Sequence, residues 1–154
     1  MSAKRLLFRV WGRLPRRVRR SLVRLGTPSH TVGSMGVVEH DGRVLLVRLA
    51  YRKWWGLPGG LLQRGEQPAA AVVREVAEEV GLPIELAAPP TIVVDTRARR
   101  VDVVFLCRPA PGVDPDSAKA CSSEIEEVKW WPLDDLPRLH GEAAEAMRVS
   151  RSLR

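Results

Sequence analysis

Apolar residues recur every three or four positions through the start of the chain, at Leu7, Trp11, Leu14, Val18, Leu22 and Leu25. Arginines follow the same period on the other side of the wheel, at Arg9, Arg13, Arg16, Arg17, Arg20 and Arg24. This is the pattern of a basic amphipathic helix. Pro15 removes an amide donor and clashes with the turn before it, so two shorter helices or a kinked one are expected. Gly26-Thr27-Pro28-Ser29 ends the pattern and reads as a linker. Residues 1–30 are thus expected to form an arm, and residues 31–154 a separate domain.

From Thr31 the pattern becomes extended. Thr31–Glu39 and Arg43–Leu49 read as strands joined through Asp41-Gly42, a strong hairpin signal. A loop over Ala50–Trp55 follows. Pro68 suits the first position of a helix, where its missing N–H costs nothing, and Gly81 suits the stop. Gln67 is a weak N-cap, where Ser, Thr or Asp would serve better. Between them Val72, Val73, Val76 and Val80 are expected to face a core. Further strands are expected near Ile84–Leu86, Thr91–Asp95, Val101–Cys107 and Glu126–Pro132. The polar, proline-rich stretch Pro109–Cys121 reads as a loop, and Gly141–Arg154 as a closing helix. Strands on both sides of one central helix, with a helix at the end, imply an α/β fold: a mixed sheet with helices on its faces.

The central helix carries the chemistry. Glu75, Glu78 and Glu79 fall at i, i+3 and i+4, so one face holds three carboxylates. Their mutual repulsion is the kind that a hard divalent cation offsets, and Mg²⁺ takes oxygen ligands together with substrate phosphates. Arg74 is placed to orient Glu75 or Glu78. The plain alternative is a solvated acidic helix face. Upstream, Trp55-Gly56-Leu57-Pro58-Gly59-Gly60 holds two adjacent glycines that let backbone approach a ligand closely, or that merely make a turn. Arg48, Arg52 and Lys53 cluster near the end of the second strand, where a planar Arg fork would suit phosphate oxygens. Trp54 and Trp55 are adjacent and must point oppositely on a strand, so at most one faces substrate, with Trp55 the candidate. His30, His40 and His140 are scattered and read as surface residues.

Gly60, Glu66, Arg74-Glu75-Val76, Glu78-Glu79 and Gly81-Leu82 together resemble, position for position, the signature box of the Nudix hydrolases. The resemblance covers about residues 31–140. It implies an α/β/α sandwich with a mixed β-sheet, and hydrolysis of the diphosphate linkage in a nucleoside diphosphate derivative. It implies Mg²⁺, with Mn²⁺ as an alternative, held by the Gly59 carbonyl, Glu75, Glu78 and Glu79. Gly60, Glu66 and Gly81 would be structural. Ser122-Ser123-Glu124-Ile125-Glu126-Glu127-Val128-Lys129-Trp130 is similar to a downstream family segment, which makes Glu124 a rival to Glu79 as the general base. Arg48 sits where members often contact phosphate. The absence of Tyr around Arg97–Arg100 speaks against the dinucleoside polyphosphate branch, and Pro89-Pro90 comes earlier than the proline marker of the ADP-ribose branch, which speaks against that branch as well. A nucleoside diphosphate sugar or a modified nucleoside triphosphate is the default substrate.

Charge sharpens the picture of the arm. The chain of 154 residues has a net charge of +7, but nine basic residues and no acid lie in residues 1–30. The remainder holds 16 basic against 18 acidic residues. The arm is expected to dock on its own domain, to join two copies in a homodimer, or to contact an anionic membrane or RNA through residues 1–26. An RNA-end or lipid-linked diphosphate hydrolase recruited by the arm, or a non-catalytic nucleotide- or nucleic-acid-binding module, are the alternative functions. Cys107 and Cys121 form neither a metal-ligand spacing nor a disulfide framework. No apolar run approaches membrane-spanning length. The expected location is the cytoplasm, with peripheral membrane contact as the arm's alternative.

Overall fold

In a computed structural model of the chain, residues 3–151 are described. The expected part of Leu7 in the apolar stripe and the expected end of the last helix at Arg154 lie outside the described residues and side chains. The chain divides into two compact units, Met1–His30 and Thr31–Arg154.

The first unit is two helices, α1 (Ala3–Arg13) and α2 (Arg16–Gly26), parted at Pro15 as its chemistry requires. α2 begins on the Pro15 carbonyl, which accepts the Arg19 N–H at 3.1 Å. It ends at Thr27, whose N–H and hydroxyl both donate to the Val23 carbonyl, at 2.9 and 2.7 Å. No residue of α2 is buried.

The second unit runs β1 (Thr31–His40), β2 (Arg43–Leu49), β3 (Gly59–Leu61), α3 (Pro68–Val80), β4 (Ile84–Leu86), β5 (Thr91–Asp95), β6 (Arg100–Pro109), β7 (Ile125–Pro132) and α4 (Gly141–Arg151). The sheet order is β4-β6-β1-β2-β7, with β3 paired to β1 and β5 to β6. β1 and β6 are parallel from Thr31↔Arg100 to Val38↔Cys107, and the other pairings are antiparallel, so the sheet is mixed. The β1–β2 hairpin turns at Asp41-Gly42, both with positive φ, as a two-residue turn of this kind demands.

Alternation along the strands builds the two layers of core. Leu45 and Val47 of β2 join Val38, Phe105 and Cys107 against Val72, Val76 and Val80 of α3. Val44 and Leu46, one residue out of phase, join Met35, Val37 and Val104 against Ala143, Ala146 and Met147 of α4. The helices therefore cover opposite faces, which makes the expected α/β/α sandwich. Burying each of the three α3 valines contributes about 1.5–3 kcal/mol relative to leaving it exposed.

Two expectations change. Val73 is 38% exposed rather than in the core. Positions 72, 76 and 80 already make the straight stripe, and the next residue is turned about 100° from it. β3 was expected only as a turn or a ligand-approaching loop, yet Gly59–Leu61 pairs with Met35, Ser34 and Gly33 of β1. Three residues are too few to show a strand period, so the pairing partner alone makes this strand.

Candidate active site

β3 and α3 meet at one wall of a cleft of about 480 Å³, lined by Gly59, Gly60, Glu75, Glu79 and Glu124. Three local devices place this wall. The Gly36 N–H donates to the Pro58 carbonyl at 2.9 Å, pinning the approach to β3. The buried Ser34 hydroxyl donates to the Pro68 carbonyl at 2.9 Å, pinning the first turn of α3. At the far end Gly81 adopts φ 68° and its N–H donates to the Ala77 carbonyl, which ends the helix in the left-handed conformation glycine favours.

The two glycines of the wall differ in what they leave room for. Gly59 has φ 147°, and a Cβ there would lie 2.2 Å from the Ser34 carbonyl oxygen. A Cβ on Gly60 would lie 2.6 Å from the Glu75 carboxylate. The Gly60 backbone thus lies directly against a carboxylate, and any larger residue there would displace the Glu75 tip.

Arg74 is the hub of the acidic residues. Its Nε and Nη2 donate to the two oxygens of Glu66 at 2.8 and 2.9 Å, a two-point fork. Its Nη1 donates to Glu75 at 2.7 Å and to Glu78 at 3.1 Å. The Gln63 N–H also donates to Glu66, at 2.8 Å. Arg74 and then the Gln63 N–H hold the Glu66 carboxyl down to about 2. The arginine in turn is shifted upward, chiefly by Glu66. Glu66 therefore ties the loop after β3 to the middle of α3.

Glu79 stands differently. It is half-buried, and the Gly59 N–H donates to its Oε2 at 2.9 Å. Burial pushes its carboxyl up to about 7, against the lowering effect of the Gly59 N–H and with Glu75, Glu124 and Glu78 adding like-charge repulsion. Acids thus gather here against their own electrostatics, a pattern typical of functional sites.

A hard divalent ion fits the chemistry of this donor set, which is carboxylate and backbone oxygen throughout. Among the described residues, however, no three His, Cys, Asp or Glu side chains converge closely enough to hold a metal ion. Glu75 and Glu78 turn to the Arg74 guanidinium, and Glu79 to the Gly59 N–H, because each takes the nearest donor. Glu78 is the outlying member, with 60% of its side chain exposed and no place in the cleft lining.

The remaining expected site residues divide. Glu124, exposed at the mouth, lines the cleft, and Arg52 lines it while paired to Glu142. Arg48 does not line it. Its guanidinium bonds Glu126 at 2.7 Å and Glu127 at 2.9 Å across the β2–β7 pair, so its fork is already filled. Trp55 packs edge-on against Trp131, with ring centroids 5.5 Å apart, beside the α4-side core, whereas Trp54 lines the cleft. The two adjacent rings thus part, with Trp54 at the cleft, where the Arg138 guanidinium lies 4.1 Å over it, and Trp55 at the core. His140, expected at the surface, is half-buried and lines the cleft, with a buried Nε2 that has no hydrogen-bond partner. Tyr51, Arg100 and Glu142 also line it and were not foreseen. They come from separate elements, so no spacing in the sequence announces them. Arg100 is steadied by the buried Asp102, which accepts from its Nε at 2.7 Å.

The family model for the NUDIX domain matches residues 28–151. The chain is 38% identical over 110 residues to a MutT-like protein of Streptomyces ambofaciens, a match covering 71% of this chain and 68% of that protein. It is 38% identical over 105 residues to the human 8-oxo-dGDP phosphatase NUDT18, covering 65% of this chain but 31% of that longer protein. A solved ADP-ribose pyrophosphatase from Streptococcus suis is 29% identical, with a TM-score of 0.62 over 83% of this chain and 96% of that one.

Proposed function

The chain belongs to the Nudix hydrolase family, and on that premise we propose that it hydrolyses the diphosphate linkage of a small nucleoside diphosphate derivative, with water attacking phosphorus. The observation that carries this reading is the cleft wall, where Gly59, Gly60, Glu75, Glu79 and Glu124 meet around a space of about 480 Å³. That volume suits a small nucleotide conjugate. The names of two relatives, an 8-oxo-dGDP phosphatase and an ADP-ribose pyrophosphatase, support a modified nucleotide or a nucleoside diphosphate sugar as substrate.

The Gly59 carbonyl, Glu75, Glu78 and Glu79 are the residues that would hold a divalent cation, Mg²⁺ or Mn²⁺. Such an ion, when bound, neutralises the diphosphate and lowers the pKa of water. The protein's own groups do the rest. Glu79, held through Oε2 by the Gly59 N–H, takes the proton of the attacking water at Oε1, with Glu124 across the mouth as the rival base. Arg74 is a positioning residue, since it bonds Glu66, Glu75 and Glu78 and does not line the cleft. Trp54 and Tyr51 offer aromatic surface for a base, and Arg52 and Arg100, each already paired to one carboxylate, offer their remaining N–H donors to the far end of the substrate.

The test is turnover of a panel containing ADP-ribose, 8-oxo-dGDP, nucleoside diphosphate sugars and nucleoside triphosphates, with Mg²⁺ or Mn²⁺. Glu79→Gln serves as the control and should lower turnover by roughly 10²–10⁴. Binding of these nucleotides with no hydrolysis under either metal would leave a non-catalytic binding module.

A further inference from the structure

The arm has no role in the chemistry above, yet it concentrates both the charge and the exposed apolar surface of the chain. Residues 1–30 carry nine cations and no acid, while the rest of the chain nets −2, too little to neutralise them. The whole chain keeps a net charge of +7, which draws anionic counter-charge from outside it. Along α2, Val18, Leu22 and Leu25 fall on one face, at i, i+4 and i+7, and all three are exposed, Leu25 to 85%. Arg17, Arg20 and Arg24 lie on the opposite face. In α1, Phe8 is 72% exposed. Between the helices, Trp11, Arg16, Arg19, Arg20, Val23 and Arg24 line an open groove of about 450 Å³.

We propose that the two-helix arm is an interfacial anchor for anionic phospholipid, with Phe8, Val18, Leu22 and Leu25 entering the acyl boundary and the arginines meeting headgroup phosphates. No described helix is long and apolar enough to cross a membrane, so the contact is with one leaflet. The apolar stripe is what favours lipid over nucleic acid. A phosphate backbone would engage the arginines alone and would leave Phe8 and Leu25 in water. The proposal stands apart from the reading of the active site and survives or fails without it.

Co-sedimentation of the full chain with vesicles tests it. One set is pure phosphatidylcholine, and the other contains about a third phosphatidylglycerol. The full chain should pellet with the second set at about 0.1 M salt, lose most of that binding near 1 M salt, and ignore the first set. Changing Arg16, Arg19, Arg20 and Arg24 together to Gln should weaken partitioning by on the order of 10²–10³-fold, at about fivefold per arginine. Changing Phe8, Leu22 and Leu25 to Ser keeps every charge and should still weaken it by at least about tenfold. Thermal melting of each variant checks that residues 31–154 remain folded. Absence of binding to the anionic vesicles at low salt overturns the proposal. So does full vesicle binding by the Ser variant, or binding of a single-stranded RNA that outcompetes the vesicles and is untouched by the Ser changes.

Discussion

Gly59→Ala places one methyl group where the structure has none to spare. The added Cβ would lie 2.2 Å from the Ser34 carbonyl oxygen and 2.8 Å from the Met35 Cα. Ordinary van der Waals contact begins at 3.4 Å, so β3 and β1 must part by about an ångström. Both obstacles are backbone inside a paired sheet, and neither can rotate away. Gly59 also holds φ 147°, which alanine adopts only under strain of about 1–3 kcal/mol. Overpacking of this size adds about 1–3 kcal/mol, so a loss of roughly 2–6 kcal/mol is expected. The functional effect should be larger in proportion. The same residue lines the cleft and donates to Glu79 at 2.9 Å, and a misplacement of about an ångström in a catalytic group can cost about 10²-fold in rate. Gly42→Ala is the matched control: φ is 71° there, but nothing lies within 4 Å of the new Cβ. It should cost about 1 kcal/mol and leave turnover unchanged. The assay is the melting temperature of both variants, at roughly 3–5 °C per kcal/mol, together with kcat on the best substrate of the nucleotide panel. Gly59→Ala turning over within threefold of the parent (~0.6 kcal/mol) and melting no lower than Gly42→Ala would refute the steric account of the wall.

Acid stability should report on the Glu66 tie. Its carboxyl is held down to about 2 by Arg74 and the Gln63 N–H, so its stabilisation is complete above the ordinary carboxylate range and is lost as pH falls toward 2. Glu66→Gln should remove that part of the pH–stability profile, and a profile parallel to the parent's between about pH 5 and pH 2 would contradict it. For the base, Glu124→Gln should lower kcat more than it raises KM if Glu124 takes the proton, and a change in KM alone would assign it to binding and leave Glu79 as the base. Steady-state kinetics should also separate Arg48, Trp54 and Trp55. Arg48→Ala is expected to leave KM within about twofold, because its fork is spent on Glu126 and Glu127. Trp54→Ala should raise KM by about tenfold or more, the worth of one base–aromatic stack, while Trp55→Ala should act on melting temperature. A large KM effect from Arg48→Ala would put that side chain back in the site.

Local chemistry, legible in the chain itself, determined the helix carrying Glu75, Glu78 and Glu79, bounded by Pro68 and Gly81, and the hairpin at Asp41-Gly42. It also determined the break at Pro15. Each of these depends on residues a few positions apart, whose backbone preferences act whatever the rest of the chain does. Tertiary structure decided what depends on distant neighbours. β3 exists because β1 offers it a partner, and Gly59 is fixed by a clash with Ser34, which lies 25 positions earlier in the sequence. Trp54 rather than Trp55 faces the cleft because the core claims Trp55 for Trp131, and Arg48 is withdrawn because β7 brings Glu126 and Glu127 across from β2. His140, Glu142 and Arg100 reach the cleft from the entry to α4, its first turn and β6, segments that only the closed sheet brings to one cleft with Glu75 and Glu79. A motif records the part of a site borne on one segment, and side chains gathered from several segments leave no spacing to read.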